Sequence, residues 1–228
     1  MGLIGNIFGF AGYYNHSRGK YDKALKWYKK AEQMDVSSPN VQMAYGVLLM
    51  REGEFEKAIK VFNKILIFFP HKDKIKTNAK INLSMTYWKT GDLDAAIDRI
   101  TEMHEKLKNS RTYETLGYFL VEKGDNEEAL RFNLEALEYD DTDAVILDNL
   151  GQTYYRMGDT DKAFTYFKKA LGEKDDLLDA LYHVGVIHQE RGETEEARKY
   201  YEKALDCNIT KLSTISRETI EAKIDELN

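Results

Sequence analysis

LGQTYYRMGDTDKAFTYFKKA, residues 150–170, decides how this chain folds. Tyr154 follows Leu150 by four residues and Gly158 follows Gly151 by seven; beyond the glycine, Phe167 stands four after Ala163 and Ala170 three further on. Intervals of three, four and seven place residues on one face of a helix. Gly158 followed by Asp159 pairs a residue that ends a helix with an acid suited to the first turn of the next. The stretch therefore reads as two amphipathic helices joined by a tight turn. Small residues at the crossing let the two backbones approach, where a larger side chain would hold them apart.

The same arrangement recurs along the whole chain. Turn glycines stand at Gly19, Gly53, Gly91, Gly124, Gly158 and Gly192, at successive spacings of 34, 38, 33, 34 and 34 residues. Seven residues before each comes Gly12, Gly46, Ser84, Gly117, Gly151 or Gly185, and five after each comes an alanine. Four beyond the alanine stands Tyr28, Phe62, Ile100, Phe167 or Tyr201, with Asn133 as the exception. A self-similar period of this length marks a repeat array. The third unit departs from the others through Ser84 and an insertion at His71 to Lys76. After Ile209 the pattern stops, yet Leu212, Ile215, Ile220, Ile224 and Leu227 keep nearly helical spacing, as a helix covering the last unit's apolar face would.

These residues resemble tetratricopeptide repeats. The fifth unit matches that family's pattern most fully, through Leu150, Gly151, Tyr154, Gly158, Ala163, Phe167 and Ala170, and six units in register cover about residues 5–209. The family's closing proline is mostly missing; only Pro70 of the second unit supplies it. The resemblance implies an all-α, right-handed α-solenoid formed as a single array over residues 1–228. Its units start near 5, 39, 77, 110, 144 and 178, and a C-terminal capping helix spans about 211–227.

The resemblance also implies a non-catalytic protein-interaction scaffold whose first helices line a concave groove for a peptide or partner helix. Carried over position by position, the groove residues of the first three units include Tyr13, Met43, Val47, Met50 and Arg51, then Asn82, Met85, Trp88 and Lys89. The last three contribute Tyr118, Asn149, Gln152, Tyr155 and Arg156, then Tyr182 and His183, beside acids such as Glu114, Glu122, Asp148 and Glu190. Met, Val and Trp make the first set an adaptable apolar surface, and the second set is a polar strip with three tyrosines. Asn82 and Asn149 occupy the same position, where an amide suits the backbone of an extended peptide. Family members that clamp a chaperone's terminal carboxylate use Lys, Asn and Arg; Tyr13, Asn78 and Asn82 at those positions do not support that reading.

Chemistry of other kinds is missing from the sequence. It contains no Gly-rich phosphate loop, no His-Glu-x-x-His and no Gly-x-Ser-x-Gly, so no catalytic residue and no cofactor are expected. His183 and His188, five apart, fall on different helix faces, and no metal site is expected. Cys207 is the single cysteine, which excludes an internal disulfide, fits a cytoplasmic location and reads as a small buried hydrophobe. The acid pairs Asp140-Asp141 and Asp175-Asp176 read as solvated loop carboxylates.

Charge is uneven. The chain carries 33 Lys and Arg against 39 Asp and Glu, net −6, which argues against nucleic acid as the partner. Residues 1–89 nonetheless carry a net +8 and residues 90–228 a net −14. An RNA-associated role through the basic half therefore stands as an alternative. The uncharged residues 1–17 are shorter than the roughly 20 needed for a transmembrane segment. Within them Gly2, Gly5, Gly9 and Gly12 recur at helical spacing, and interior glycines cost about 1 kcal/mol each relative to Ala. Such a helix needs a close neighbour on its glycine face, which leaves assembly by self-association or membrane contact through the N-terminus as the other alternative.

Overall fold

The computed structural model describes residues 2–228, which form thirteen helices and no strand. The first six are α1 (Gly2–His16), α2 (Tyr21–Gln33), α3 (Pro39–Arg51), α4 (Phe55–Phe68), α5 (Asp73–Lys89) and α6 (Leu93–Lys106). There follow α7 (Ser110–Lys123), α8 (Asn126–Tyr139), α9 (Ala144–Arg156), α10 (Thr160–Glu173), α11 (Leu178–Glu190), α12 (Thr194–Asp206) and α13 (Arg217–Asp225). The fold class is all-α, with six helix hairpins in succession and one helix after them. Backbone contacts gather into two compact units, Met1–Met103 and His104–Asn228, divided within α6.

Each hairpin turn has a glycine at positive φ. At Gly158 the backbone takes φ +80°, the left-handed region that side chains avoid, while Gly158 N–H donates to Tyr155 O at 3.0 Å and Asp159 N–H to Tyr154 O at 3.0 Å. These bonds satisfy carbonyls that the ending helix leaves open. Asp159 then caps α10, its carboxylate accepting from Lys162 N at 3.2 Å, and Asp125 does the same for α8. Turn and cap are both written in the residues Gly-Asp.

Within a hairpin, the small residue of the first helix sits under the large residue of the second. A Cβ on Gly151 would lie 2.5 Å from Phe167 Cδ1, one on Gly46 2.5 Å from Phe62 and one on Gly185 2.7 Å from Tyr201. The helices cross at that point because nothing larger than hydrogen separates backbone from ring. Phe167, fully buried, then gathers Leu147, Ala163, Ala170, Ala180, Val184 and Ile187 into the core of the second unit.

The N-terminal glycines have the same explanation. Added Cβ atoms would meet Met34 O at 2.6 Å from Gly5, Val41 Cγ1 at 2.5 Å from Gly9 and Tyr28 Cδ1 at 2.5 Å from Gly12. The glycine face of α1 thus lies on α2 and α3 of its own unit and is not open to another molecule, which corrects that basis for self-association or membrane contact. Leu3, Ile4, Ile7 and Phe10, on other faces of α1, are exposed. No helix of the described residues is long and apolar enough to cross a membrane.

Two boundaries differ from expectation. The third unit was expected to start near 77, but α5 begins at Asp73 and runs 17 residues, taking in the last four residues of the insertion and leaving His71 and Lys72 outside. The C-terminal helix starts at Arg217 instead of 211, because Thr210 to Ser213 forms a tight turn, Thr210 N–H donating to Ser213 Oγ at 3.0 Å, and Ser216 supplies the cap. Ile215 and Ile220 still pack on Leu181, Ala197, Tyr201 and Ala204, so the last hairpin's apolar side is covered.

Candidate functional site

The first helices of the second unit, α7, α9 and α11, carry a connected set of polar side chains. Arg156 on α9 donates to Glu122 on α7 at 2.6 Å, and Tyr155 hydroxyl on α9 donates to Glu190 on α11 at 2.7 Å. Burial and the Glu190 carboxylate push the Tyr155 phenol up to about 12. Tyr118 is raised further, first by burial and then by Glu122 and Asp179. Tyr118, Tyr155 and Tyr182 are each partly exposed, one per first helix.

The same unit holds carboxylates that burial perturbs. Asp148 is 4% exposed; its Oδ2 accepts from Gln152 Nε2 at 2.7 Å and its Oδ1 has no hydrogen-bond partner. Burial, then the charge of Asp179, holds its carboxyl well above the usual carboxylate range. Glu114 is pushed up to about 7 by burial and by the Asp143 carboxylate beside it. Asp143 is at the same time the cap of α9, accepting from Val145 N at 2.9 Å and Ile146 N at 3.2 Å. Asp179 accepts from the Thr214 hydroxyl.

Asn149 donates from Nδ2 to Glu114 O at 2.9 Å, while its Oδ1, also buried, has no partner. One of its two amide N–H groups thus bonds between helices, where a peptide contact was expected. His183 packs against Phe167 with ring centroids 5.1 Å apart and donates from Nδ1 to Asp179 O at 2.8 Å. Burial pushes its pKa down and keeps it a neutral packing group. His188 stacks on Tyr200 and pairs with Glu193, apart from His183.

The first unit assembles its expected residues less tightly. Asn82 Nδ2 reaches Met43 Sδ at 3.4 Å, joining α5 to α3. The Arg51 guanidinium lies 4.0 Å from the Tyr21 ring centroid and Lys89 Nζ 4.1 Å from that of Trp88. Tyr13 and Val47 are exposed and Met85 partly so. Met50 is a correction: at 2% exposure it belongs to the core, although Tyr155 at the corresponding position of α9 reaches the surface.

Sequence reasoning missed three contributors. Asp143 and Asp179 look like any acid at a unit boundary until the neighbouring helix brings Glu114 or Asp148 against them. Asn133 was visible as an exception, but its bonds to Gly117 O at 3.4 Å and Thr153 Oγ1 at 3.3 Å were not. Cys207 is half-buried, its thiol pushed up by burial and facing Asp176 O at 3.3 Å. Among the described residues no group of three or more His, Cys, Asp or Glu is arranged to hold a metal ion.

Models of the tetratricopeptide repeat match residues 17–73 and 149–210, residues 109–172 and residues 77–98. A tetratricopeptide repeat-containing protein of Methanocaldococcus jannaschii is 28% identical over 123 residues, 54% of this chain and 21% of that protein, so the chain spans about a fifth of its relative's length. A tetratricopeptide repeat protein of Parabacteroides merdae superposes with a TM-score of 0.84 at 19% identity, covering 99% of this chain and 84% of the other. The Cut9–Hcn1 hetero-tetramer of the APC/C superposes at 0.73 with 15% identity, over 98% of this chain and 42% of the matched one.

Proposed function

This chain belongs to the tetratricopeptide repeat family, and from that premise we propose that it is a non-catalytic scaffold that holds a segment of another protein against the α7–α9–α11 face. Tetratricopeptide repeats are in general protein-interaction modules, and one protein of similar fold comes from a hetero-tetramer, Cut9–Hcn1 of the APC/C. The observation that carries the reading is the set of partly exposed tyrosines, Tyr118, Tyr155 and Tyr182, on successive first helices among charged and amide groups. Tyrosine gives a large contact area at low entropic cost and a hydroxyl that tolerates water, and it is over-represented among the residues that dominate interface energy. A flexible segment lying across three rings would bury apolar carbon while the partly exposed Arg156–Glu122 pair meets its polar groups.

The test is site-specific photo-crosslinking in the native source. A benzophenone amino acid replacing Tyr155 or Tyr182 should trap a partner protein, and one replacing Tyr166 on α10 should not. Crosslinks from Tyr166 alone would place the contact elsewhere and refute the proposal.

A further inference from the structure

The outward face of α1 departs from the pattern of the later first helices. Ile7, Ala11 and Tyr14 stand in the register of Ile146, Leu150 and Thr153 on α9 and of Ala180, Val184 and Ile187 on α11. Those six are buried under the preceding hairpin: Ile146 packs with Ala136 of α8, and Ala180, Val184 and Ile187 with Ala163 and Phe167 of α10. On α1 the register is open, with Ile7 59% and Tyr14 54% exposed. An uncovered end of a repeat array ordinarily presents polar residues to water, as α13 does with exposed Glu218, Glu221 and Asp225. The open end of α1 is apolar instead.

It is also more apolar than a neighbouring hairpin requires. Leu3, Ile4 and Phe10 stand where the fourth unit has Lys108, Asn109 and Thr115 and the fifth has Thr142, Asp143 and Asn149. With Ile7, Tyr13 and Tyr14, these exposed side chains spread over about half of the helix circumference at roughly 3.6 residues per turn. One packed helix covers a stripe of only about 100°. Cations stand beside this surface. Residues 1–33 carry six Lys or Arg against two Asp or Glu, and no acid precedes Asp22. Phe8 of α1 stacks on Trp27 of α2 with ring centroids 5.6 Å apart, and the exposed Lys23, Lys26, Lys29 and Lys30 line one shallow depression with Trp27. The Arg18 guanidinium lies 4.5 Å from the Tyr14 ring centroid, on the apolar face itself.

We infer that the outward face of α1, with the lysines of α2, docks the chain on an anionic lipid bilayer. A helix with one wide apolar side lies in the plane of the interface, its large side chains at the boundary of headgroups and acyl chains. The lysines are drawn to anionic headgroups, and Tyr14 and Trp27 suit the level where aromatic rings with a polar edge settle. At 15 residues α1 is too short to cross a bilayer and lies along it.

Width and charge together select this occupant. A partner helix would leave part of the set Leu3, Ile4 and Phe10 in water, and a second copy of the chain would bring two sets of lysines against each other. A bilayer takes the whole apolar half of the helix and the lysines at once. Docking leaves the fold intact, because Gly5, Gly9 and Gly12 stay packed on α2 and α3 while the opposite side of α1 meets the lipid. None of these residues belongs to the α7–α9–α11 face, so the two readings stand or fall separately.

The experiment is flotation of the full chain with vesicles of phosphatidylcholine, alone or mixed with phosphatidylserine at about 3:1. The chain should float with the mixed vesicles at least about tenfold more strongly than with phosphatidylcholine alone, and added salt should weaken it. Ile7→Ser with Phe10→Ser should lower flotation on the mixed vesicles at least about tenfold while the melting temperature holds, since both side chains lie off the packed face. Lys23→Gln, Lys26→Gln and Lys30→Gln together should narrow the preference for the anionic vesicles, and Leu134→Ser with Met157→Ser, exposed in the second unit, should change nothing. No flotation on either vesicle, equal flotation on both, or flotation that Ile7→Ser with Phe10→Ser leaves unchanged overturns the inference. Should vesicles fail to bind while light scattering shows a dimer that the same two substitutions dissolve, the face belongs to a second copy. Should they fail while a benzophenone amino acid at Phe10 crosslinks to another protein, it belongs to a partner helix; in both cases the lipid inference falls.

Discussion

The Asn149 amide on α9 donates to the Glu114 carbonyl oxygen on α7 across 2.9 Å, a bond between residues 35 apart in sequence. It ties the backbone of one hairpin's first helix to the side chain of the next. Asn149→Ala removes the donor and leaves the Glu114 carbonyl underserved, so it should cost about 1–3 kcal/mol of unfolding free energy. Chemical denaturation followed by circular dichroism measures this; an unchanged midpoint would show that the bond contributes nothing.

Glycine to alanine should destabilise at two positions for different reasons. At Gly151 the new methyl collides with the buried Phe167 ring, and overpacking of this kind costs about 1–3 kcal/mol. At Gly158 nothing lies within 4 Å, but φ is +80°, so the cost is backbone strain of about 1 kcal/mol. Gly151→Ala should be relieved by Phe167→Leu and Gly158→Ala should not, which a comparison of melting temperatures across the four variants would reveal.

Gly9 gives a cleaner cycle. Its added Cβ would sit 2.5 Å from Val41 Cγ1, so Gly9→Ala should lower stability by about 1–2 kcal/mol, and Val41→Ala, itself destabilising, should recover part of it in the double variant. Strict additivity would mean that α1 does not pack on α3 in solution.

Stability should fall as pH rises between about 4.5 and 7. Glu114 keeps its proton up to about 7 in the folded chain but releases it at the ordinary value of 4.5 when unfolded, so the unfolded state binds fewer protons across that window. The contribution of this group is fully present below 4.5 and gone above 7; Asp148, raised as well, acts in the same direction. Melting temperatures taken at points from pH 5 to 8 should show a shallower decline in Glu114→Gln than in the wild type. Identical slopes would mean that the Glu114 carboxyl is ordinary.

How much of this was legible beforehand depends on whether the signal is local. Helix ends were, since Gly158 and Asp159 carry turn and cap within two residues, and Gly151 with Phe167 carries the crossing within one hairpin. The start of α5 was not, because Asp73 to Lys76 are compatible with helix or loop and only extension from the following residues decides. On the inner face, a repeat register gives the direction of a side chain but not its depth. Met50 and Tyr155 share a register, yet Met50 is buried and Tyr155 reaches the surface. The carboxyls of Glu114 and Asp148 are raised first by burial and then by Asp143 and Asp179, one on the loop before α9 and one on the helix beyond it, and neither depth nor that proximity is encoded by a spacing rule.

Asn133 adds something that an apolar residue could not. A chain of near-identical hairpins invites one of them to dock on the wrong neighbour, since a Gly-and-ring crossing looks alike in every copy. Asn133 reaches Gly117 O within its own hairpin and Thr153 Oγ1 in the next. At the position of Thr153, α7 carries Phe119 and α11 carries Ile187, neither able to answer an amide, whereas α5 carries Thr86. Misdocking α8 there would strand a buried polar side chain against hydrocarbon, a penalty that greasy surfaces alone never impose. One amide thereby gives the fourth hairpin an address, distinguishing its proper successor from the apolar registers of α7 and α11.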